Sequence, residues 1–149
     1  MRIVLGLALA LAASQAAGET LIERGAYLAG SVMNCHGCHT PRGPGGLDLS
    51  RAFSGGPQVF DETDYKVVGS NITPDKETGI GNWSEAQFAN AMRKGWWKGL
   101  EGSRPLLPPM PWPNFAHMPD ADISAIYAYL MSTTPVENVV PAPVPPDQL

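Results

Sequence analysis

The residues with the most specific chemistry in this chain are Cys35-His36-Gly37-Cys38-His39, which form a C-x-x-C-H motif. Two thiols at this spacing can each form a thioether bond to a vinyl group of one porphyrin, and the histidine that follows can ligate the iron. The chain contains 2 cysteines in total, so neither is left for a structural disulfide. The motif therefore predicts one haem c, attached through Cys35 and Cys38, with His39 as an axial ligand of the iron.

Two other kinds of site use a similar pair of cysteines. A thioredoxin-like dithiol follows a strand and precedes a helix, whereas here the preceding segment has a helical pattern and residues 40–46 are rich in glycine and proline. A structural zinc site needs four nitrogen or sulfur ligands, and His117 is the one histidine outside the motif. Both alternatives are disfavoured, and His36 is interpreted as a spacer.

The N-terminus has the pattern of a secretory signal peptide over residues 1–18. A short basic start precedes an apolar run over residues 3–13, and small residues then allow cleavage after Ala16 or Gly18. An uncleaved membrane anchor is the alternative, although the run is shorter than a typical span. We expect export to the periplasm and a mature chain without a membrane span.

Composition limits the fold and the partners. About 130 residues follow the predicted signal peptide, which is the size of one domain. With 16 glycines and 15 prolines, a chain this rich in loop-forming residues would need a buried porphyrin to complete its core. The formal net charge of −4 argues against nucleic acid or an anionic membrane surface as a partner.

Hydrophobic periodicity predicts three helices, over residues 19–33, 84–94 and 120–132. The middle helix is marked by a capping box that starts at Ser84, and Gly95 is a natural stop. The long irregular stretch before it is expected to contain two short strands and to wrap a ligand. These strands are residues 59–60 and 65–68.

A glycine in the first helix points to a close contact with the last one. Gly25 costs a helix about 1 kcal/mol relative to alanine, and such a glycine usually has a packing reason. The last helix has an apolar face at helical spacing, formed by Ile123, Ile126, Tyr127 and Leu130. We predict that Gly25 and Tyr27 lie against that helix. The contact is expected at Tyr127 or Tyr129.

The second axial ligand separates an electron carrier from a haem catalyst. Methionine is the expected ligand for electron transfer, because a thioether favours ferrous iron and raises the potential. Met110 lies in a proline-rich stretch, residues 106–113, whose fixed φ angles make a stiff loop that can hold a sulfur on iron. Met118 is the second candidate, and His117 would give a bis-histidine haem. We favour Met110, opposite His39.

These motifs together resemble the cytochrome c family, in its single-haem class with an N-terminal haem motif. More narrowly, the chain is similar to the haem domains in cytochrome subunits of periplasmic dehydrogenases for alcohols, gluconate, aldehydes and N-heterocycles. The stretches that carry the resemblance are residues 24–28, 35–40, 71–75, 78–81, 83–84, 109–112, 120–123 and 128–130.

The resemblance implies an all-α cytochrome c fold, with three to five short helices and long loops wrapped around one covalent haem. This cytochrome c domain would cover residues 19–134, and residues 135–149 would form an extended, proline-rich C-terminal tail. The resemblance also implies Met110 as the methionine ligand. It further implies that the loop over residues 71–83 lines the haem near its propionates.

The implied function is periplasmic electron transfer from a dehydrogenase to another cytochrome or an oxidase of the respiratory chain, without enzymatic activity of its own. A single motif excludes a multi-haem wire within this chain. Bound subunit and free shuttle both remain open, and the patch of Trp96, Trp97 and Trp112 is either a docking face or packing for the porphyrin. The alternative function is a haem enzyme or gas sensor with an open distal site, for which His117 would serve as acid or base.

Overall fold

The computed structural model describes residues 18–56, 59–63 and 65–148. Apart from Gly18, the predicted signal peptide lies outside these residues. The α-helices in the described part are α1 (Leu21–Ala26), α2 (Cys35–His39), α3 (Glu85–Lys94) and α4 (Asp120–Ser132). No helix within the described ranges has the length and apolar character needed to cross a membrane. Short helices joined by long loops agree with the predicted all-α class.

The first and last helices cross at a glycine, as predicted. A Cβ atom at Gly25 would lie 2.0 Å from the carbonyl oxygen of Ala125 and 2.6 Å from Cβ of Tyr129, so only glycine allows this approach. The expected contact between Gly25 and Tyr129 is therefore confirmed. Tyr27 does not share this burial: it is 52% exposed, and the Arg24 guanidinium lies 5.9 Å from the centre of its ring.

The predicted first helix is irregular in its second half. Residues Tyr27–Val32 continue α1 as a π-helical segment, which ends with the Met33 N–H donating to the Leu28 carbonyl (2.9 Å). A π-helical turn contains more residues than an α-helical one, so the positions that face the core rotate away from the expected pattern. Leu28 is buried, whereas Val32, four positions later, is 56% exposed.

The core lies between α1, α3 and α4 and the irregular stretch before α3. Its buried cluster consists of Leu28, Ala29, Phe53, Ile80, Phe88, Met92, Ile123, Ile126 and Leu130. The pair Arg24–Asp122 closes the crossing of α1 and α4 from the side, with Nε–Oδ1 and Nη2–Oδ2 distances of 2.9 and 3.2 Å. The apolar face predicted for α4 is confirmed, and the Tyr127 hydroxyl donates to the Trp83 carbonyl (2.7 Å).

Local signals set both ends of α3. Ser84 and Gln87 form the predicted capping box: the Gln87 N–H donates to Ser84 Oγ (3.2 Å), and the Ser84 N–H donates to Gln87 Oε1 (2.9 Å). Gly95 ends the helix with a φ of 65°, in the left-handed region that glycine tolerates. Helix α4 begins at Asp120, directly after Pro119.

The strands are short and form hairpins. Strands β1 (Arg42–Gly43) and β2 (Gly46–Leu47) pair antiparallel within a stretch whose glycines and prolines predict a loop. Strands β3 (Val59–Asp61) and β4 (Lys66–Val68) also pair antiparallel, with Val59 opposite Val68, and confirm the predicted strands. The C-terminal residues add to this hairpin at one point, because Lys66 and Val144 exchange two backbone hydrogen bonds (3.0 and 2.8 Å).

Candidate functional site

The C-x-x-C-H motif forms the short helix α2. It is preceded by Asn34 in a left-handed conformation (φ 51°), which turns the chain sharply after the π-helical segment. Side chains three positions apart share one face of a helix, so Cys35 and Cys38 are presented on the same side of α2. Neither forms a disulfide. They can therefore bond to two points of one planar group.

His39 is oriented by the backbone of a distant segment. Its Nδ1 atom lies 2.7 Å from the carbonyl oxygen of Ser70, and because a carbonyl can only accept, Nδ1 carries the proton. Burial lowers the pKa of His39 and favours the neutral ring. The unprotonated Nε2 atom is then available to bind a metal, which is the arrangement that metal-ligating histidines use.

The segment that carries Ser70 packs directly on the motif. A Cβ atom at Gly69 would lie 1.8 Å from the carbonyl oxygen of Cys38, so the two backbones touch. The Gly55 N–H donates to the carbonyl of His39 (2.9 Å) from a second segment. Sequence interpretation assigned no role to Gly69 or Ser70, and a glycine directly after a predicted strand is the one signal that could have marked this contact.

His36 has a structural role inside the motif. Its ring stacks on Phe53, with ring centroids 4.0 Å apart, and its Nδ1 atom shares a hydrogen bond of 2.8 Å with the Thr40 hydroxyl. Thr40 Oγ1 also accepts the N–H of Phe53 (3.0 Å). The spacer residue of the motif therefore also has a packing role, because the His36 ring joins α2 to the buried Phe53.

The candidate ligands for the other side of the iron differ in their surroundings. Met110 and Met118 are both partly buried against the core cluster, and so is Cys35. His117 is exposed, as expected for a solvated loop residue. The carbonyl of Met118 accepts a hydrogen bond from the Arg93 guanidinium, which ties this residue to α3. Attachment motif and candidate methionines thus border the same core.

The family follows from comparison with known proteins. Residues 22–134 match the profile of the family described as Cytochrome c. The chain belongs to the cytochrome c family. Membership confirms the all-α cytochrome c fold expected from the sequence, and it implies a covalently bound haem c.

Several curated relatives of this cytochrome are named as dehydrogenase subunits. A nicotinate dehydrogenase subunit of Pseudomonas putida is 42% identical over 122 residues, 82% of this chain. The gluconate 2-dehydrogenase cytochrome c subunit of Pantoea cypripedii is 37% identical over 88% of the chain. The cytochrome c subunit of alcohol dehydrogenase (quinone) from Gluconobacter oxydans is 38% identical over 79%. The matched regions span 9%, 27% and 22% of these relatives, respectively.

The donor atoms of this cytochrome fit a covalently attached haem. Cys35 and Cys38 offer two thiols on one helical turn, and His39 offers a free Nε2 atom whose ring orientation is fixed by the Ser70 carbonyl. Met110 offers a soft thioether sulfur at the edge of the same core. Thiols for attachment, imidazole nitrogen and thioether sulfur are the groups that haem c uses in cytochromes.

The rival sites fit less well. Burial raises the pKa of the Cys35 thiol to about 11, whereas redox-active C-x-x-C pairs have a thiol with a lowered pKa. In the part of the chain that the structure describes, no cluster of three or more His, Cys, Asp or Glu side chains could hold a metal ion. A redox dithiol and a structural zinc site are both disfavoured by these surroundings.

The segment over residues 94–104, here called the basic loop, begins at the last residue of α3. The Lys94 ammonium lies 4.2 Å from the ring centre of Trp96, and the Arg104 guanidinium lies 3.9 Å from the ring centre of Trp97. Both distances are within the range of cation–π contacts. Trp96 and Trp97 were grouped in a patch from the sequence. In the structure, a cationic side chain lies over the ring of each one.

The charge of the basic loop contrasts with that of the whole chain. It contains Lys94, Lys98, Arg104 and Glu101, whereas the chain has a net charge of −4. The ion pairs formed among the described residues use other cations, namely Arg24, Lys66 and Arg93. A locally positive surface thus lies between α3 and the loop of Met110. Trp112 packs against the same loop, at Gly95.

Proposed function

We propose that this cytochrome carries electrons in the periplasm through a single haem c, with His39 and Met110 as axial ligands. The observation that supports this best is the hydrogen bond from His39 Nδ1 to the Ser70 carbonyl, next to a pair of thiols on one helical turn. The chain has 2 cysteines, enough to attach one haem. In contrast to the single haem proposed here, a relative from Cereibacter sphaeroides, 33% identical over 81% of this chain, is named a dihaem cytochrome.

Each proposed ligand residue has a defined task. Haem c, when bound, supplies a couple in which one electron changes iron between its ferric and ferrous states. The Ser70 carbonyl increases the donor strength of His39, which favours ferric iron. The sulfur of Met110 favours ferrous iron and raises the potential. The apolar residues of the core cluster exclude water from the site, and this raises the potential further.

The loop of Met110 is suited to holding a ligand in one place. Pro108, Pro109 and Pro111 flank the methionine and fix the backbone. The loop is anchored to the end of α3, since the Leu106 N–H donates to the Gly95 carbonyl (2.6 Å). A preorganised loop loses little conformational entropy when its sulfur binds iron, which supports Met110 over Met118.

A periplasmic dehydrogenase is the proposed electron donor, and another cytochrome or an oxidase of the respiratory chain is the proposed acceptor. The names of the relatives support the donor, since they are subunits of nicotinate, gluconate and alcohol dehydrogenases. Residues 1–18 have the pattern of a signal peptide, which supports the location. The basic loop supports docking to an acidic surface of a partner.

The function is tested by spectroscopy on the exported protein. We expect a pigment that resists extraction with acidified organic solvent, because thioether bonds hold it. We also expect a low-spin ferric spectrum, with the weak long-wavelength band of sulfur ligation, and reversible one-electron reduction. A colourless protein, or one whose pigment is extracted, would contradict covalent haem. A high-spin spectrum that responds to peroxide or carbon monoxide would favour a haem enzyme or gas sensor instead.

The docking role of the basic loop is tested with small redox partners of opposite charge. Ferricyanide, an anion, accepts one electron from the reduced protein, and Lys98→Glu is expected to slow this reaction roughly threefold at low ionic strength. The effect should reverse for a cationic oxidant such as tris(phenanthroline)cobalt(III), and it should vanish in high salt, where charges are screened.

The matched control for this experiment is Arg51→Glu, because it changes the net charge equally at an exposed residue that lies outside the basic loop and outside residues 71–83, the loop expected to line the haem. If Lys98→Glu and Arg51→Glu slow the reaction with ferricyanide by the same factor, the effect comes from overall charge. In that case the basic loop does not face the site of electron exchange.

A further inference from the structure

The C-terminal segment, residues 135–148, lies over buried polar groups of the domain. The buried polar side chains among the described residues are those of Thr40, Ser54, Asn71 and Thr73. Asn71 Nδ2 donates to the carbonyl of Val136 (2.8 Å), and the Val136 N–H donates to Thr73 Oγ1 (3.2 Å). The side chain of Asn138 donates from Nδ2 to the Ser54 carbonyl (2.7 Å).

These bonds pair groups that have little access to water. Asn71 and Thr73 are 3% and 0% exposed, and Ser54 is fully buried. A buried carbonyl or amide that loses its partner is costly, because water cannot replace the bond. The C-terminal segment therefore holds the chain around Ser54 and around Asn71 in place.

Both of these places connect directly to His39. Residue 54 is followed by Gly55, whose N–H donates to the His39 carbonyl (2.9 Å). Asn71 follows Ser70, whose carbonyl accepts a hydrogen bond from the His39 Nδ1–H (2.7 Å). The backbone that orients the proposed proximal ligand is thus held between α2 on one side and the C-terminal segment on the other.

Asn138 provides the most specific of these contacts. Its backbone N–H donates to Thr78 Oγ1 (3.0 Å), while its side chain reaches the Ser54 carbonyl, 84 positions away in the sequence. Thr78 Oγ1 also accepts from Asn71 Nδ2 (2.9 Å). One residue therefore bridges both segments that support His39.

We propose that Asn138 is a positioning residue that, through Ser54 and the Asn71 segment, fixes the Ser70 carbonyl and so tunes the donor strength of His39 toward iron. This inference rests on the proposed ligation by His39. A firm bond to the carbonyl makes the imidazole a stronger donor and stabilises ferric iron. A looser bond lowers the donor strength and shifts the midpoint potential upward.

The test replaces Asn138 by leucine, whose side chain is uncharged, of similar size and unable to donate a hydrogen bond to the Ser54 carbonyl. In the reduced, diamagnetic holoprotein, NMR should show at least tenfold faster solvent exchange of the His39 Nδ1 proton. Amide exchange over residues 69–80 should rise, whereas that of α3 should not change. The midpoint potential should shift upward. Asn138→Gln, which keeps the amide donor, should return proton exchange, amide exchange and midpoint potential most of the way to the values of the unaltered protein.

Val139→Ala is the matched control, because Val139 neighbours Asn138 and is 82% exposed. The inference would be overturned if Asn138→Leu and Val139→Ala had the same exchange rate of the His39 Nδ1 proton and the same midpoint potential. If the leucine variant does not fold, Asn138→Ala removes the same donor without added bulk and carries the same expectations. A failure of the proposed function is distinguishable, since the unaltered protein would then lack a low-spin haem spectrum before any substitution is made.

Discussion

Replacement of Met110 by alanine is expected to remove the proposed sixth ligand of the iron while the haem stays attached through the proposed attachment residues, Cys35 and Cys38. The ferric protein should lose the weak long-wavelength band of sulfur ligation and become high-spin. Its midpoint potential should fall by more than about 100 mV, because axial ligands set haem potentials over a range of about 0.8 V and a thioether favours ferrous iron. Visible spectra and a redox titration of the purified variant measure both effects.

Met118→Ala is the control that distinguishes Met110 from Met118 as the axial ligand. Met118 is also a partly buried methionine at the edge of the core, so its truncation removes similar volume. We expect a modest loss of stability and an unchanged spectrum. Loss of the sulfur band in Met118→Ala alone would show that Met118 is the ligand. A sulfur band that persists in both variants would point to a different methionine, whereas its absence from the unaltered protein would point to His117 or an open site.

The features that could be predicted from the sequence are those with a local cause. The capping box at Ser84 and the stop at Gly95 need only a few neighbouring residues, and both occur as expected. The crossing at Gly25 was predictable because a glycine destabilises its helix unless close packing against a neighbouring helix compensates. Strands β3 and β4 follow from their β-branched and aromatic residues.

The features that could not be predicted depend on backbone atoms and distant segments. The acceptor for His39 is the carbonyl of Ser70, 31 positions away, and a carbonyl is present in every residue, so no residue type marks it. The C-terminal segment has the composition of an extended tail, but its bonds to Asn71 and Ser54 depend on where loops meet in space. The π-helical turn after Ala26 likewise has no simple local signal.

Gly69 illustrates how strongly such an unmarked contact can control the site. Replacement by alanine would place a methyl group 1.8 Å from the carbonyl oxygen of Cys38. A backbone atom cannot change rotamer as a flexible side chain can. The segment after β4 must therefore move away from α2. Overpacking of this kind typically costs up to about 3 kcal/mol, which in a domain of this size lowers the thermal midpoint by about 10 °C.

The same displacement acts on the proposed ligand, because Ser70 follows Gly69 directly and its carbonyl orients His39. We therefore expect Gly69→Ala to reduce the yield of holoprotein and to raise the midpoint potential of the fraction that forms, measured by absorbance melting and redox titration. Gly45→Ala is the control, since nothing lies within 4 Å of a Cβ atom at Gly45. A Gly69→Ala variant as stable as Gly45→Ala would mean that the segment can yield without cost. The contact with Cys38 would then not be what holds the Ser70 carbonyl beside His39.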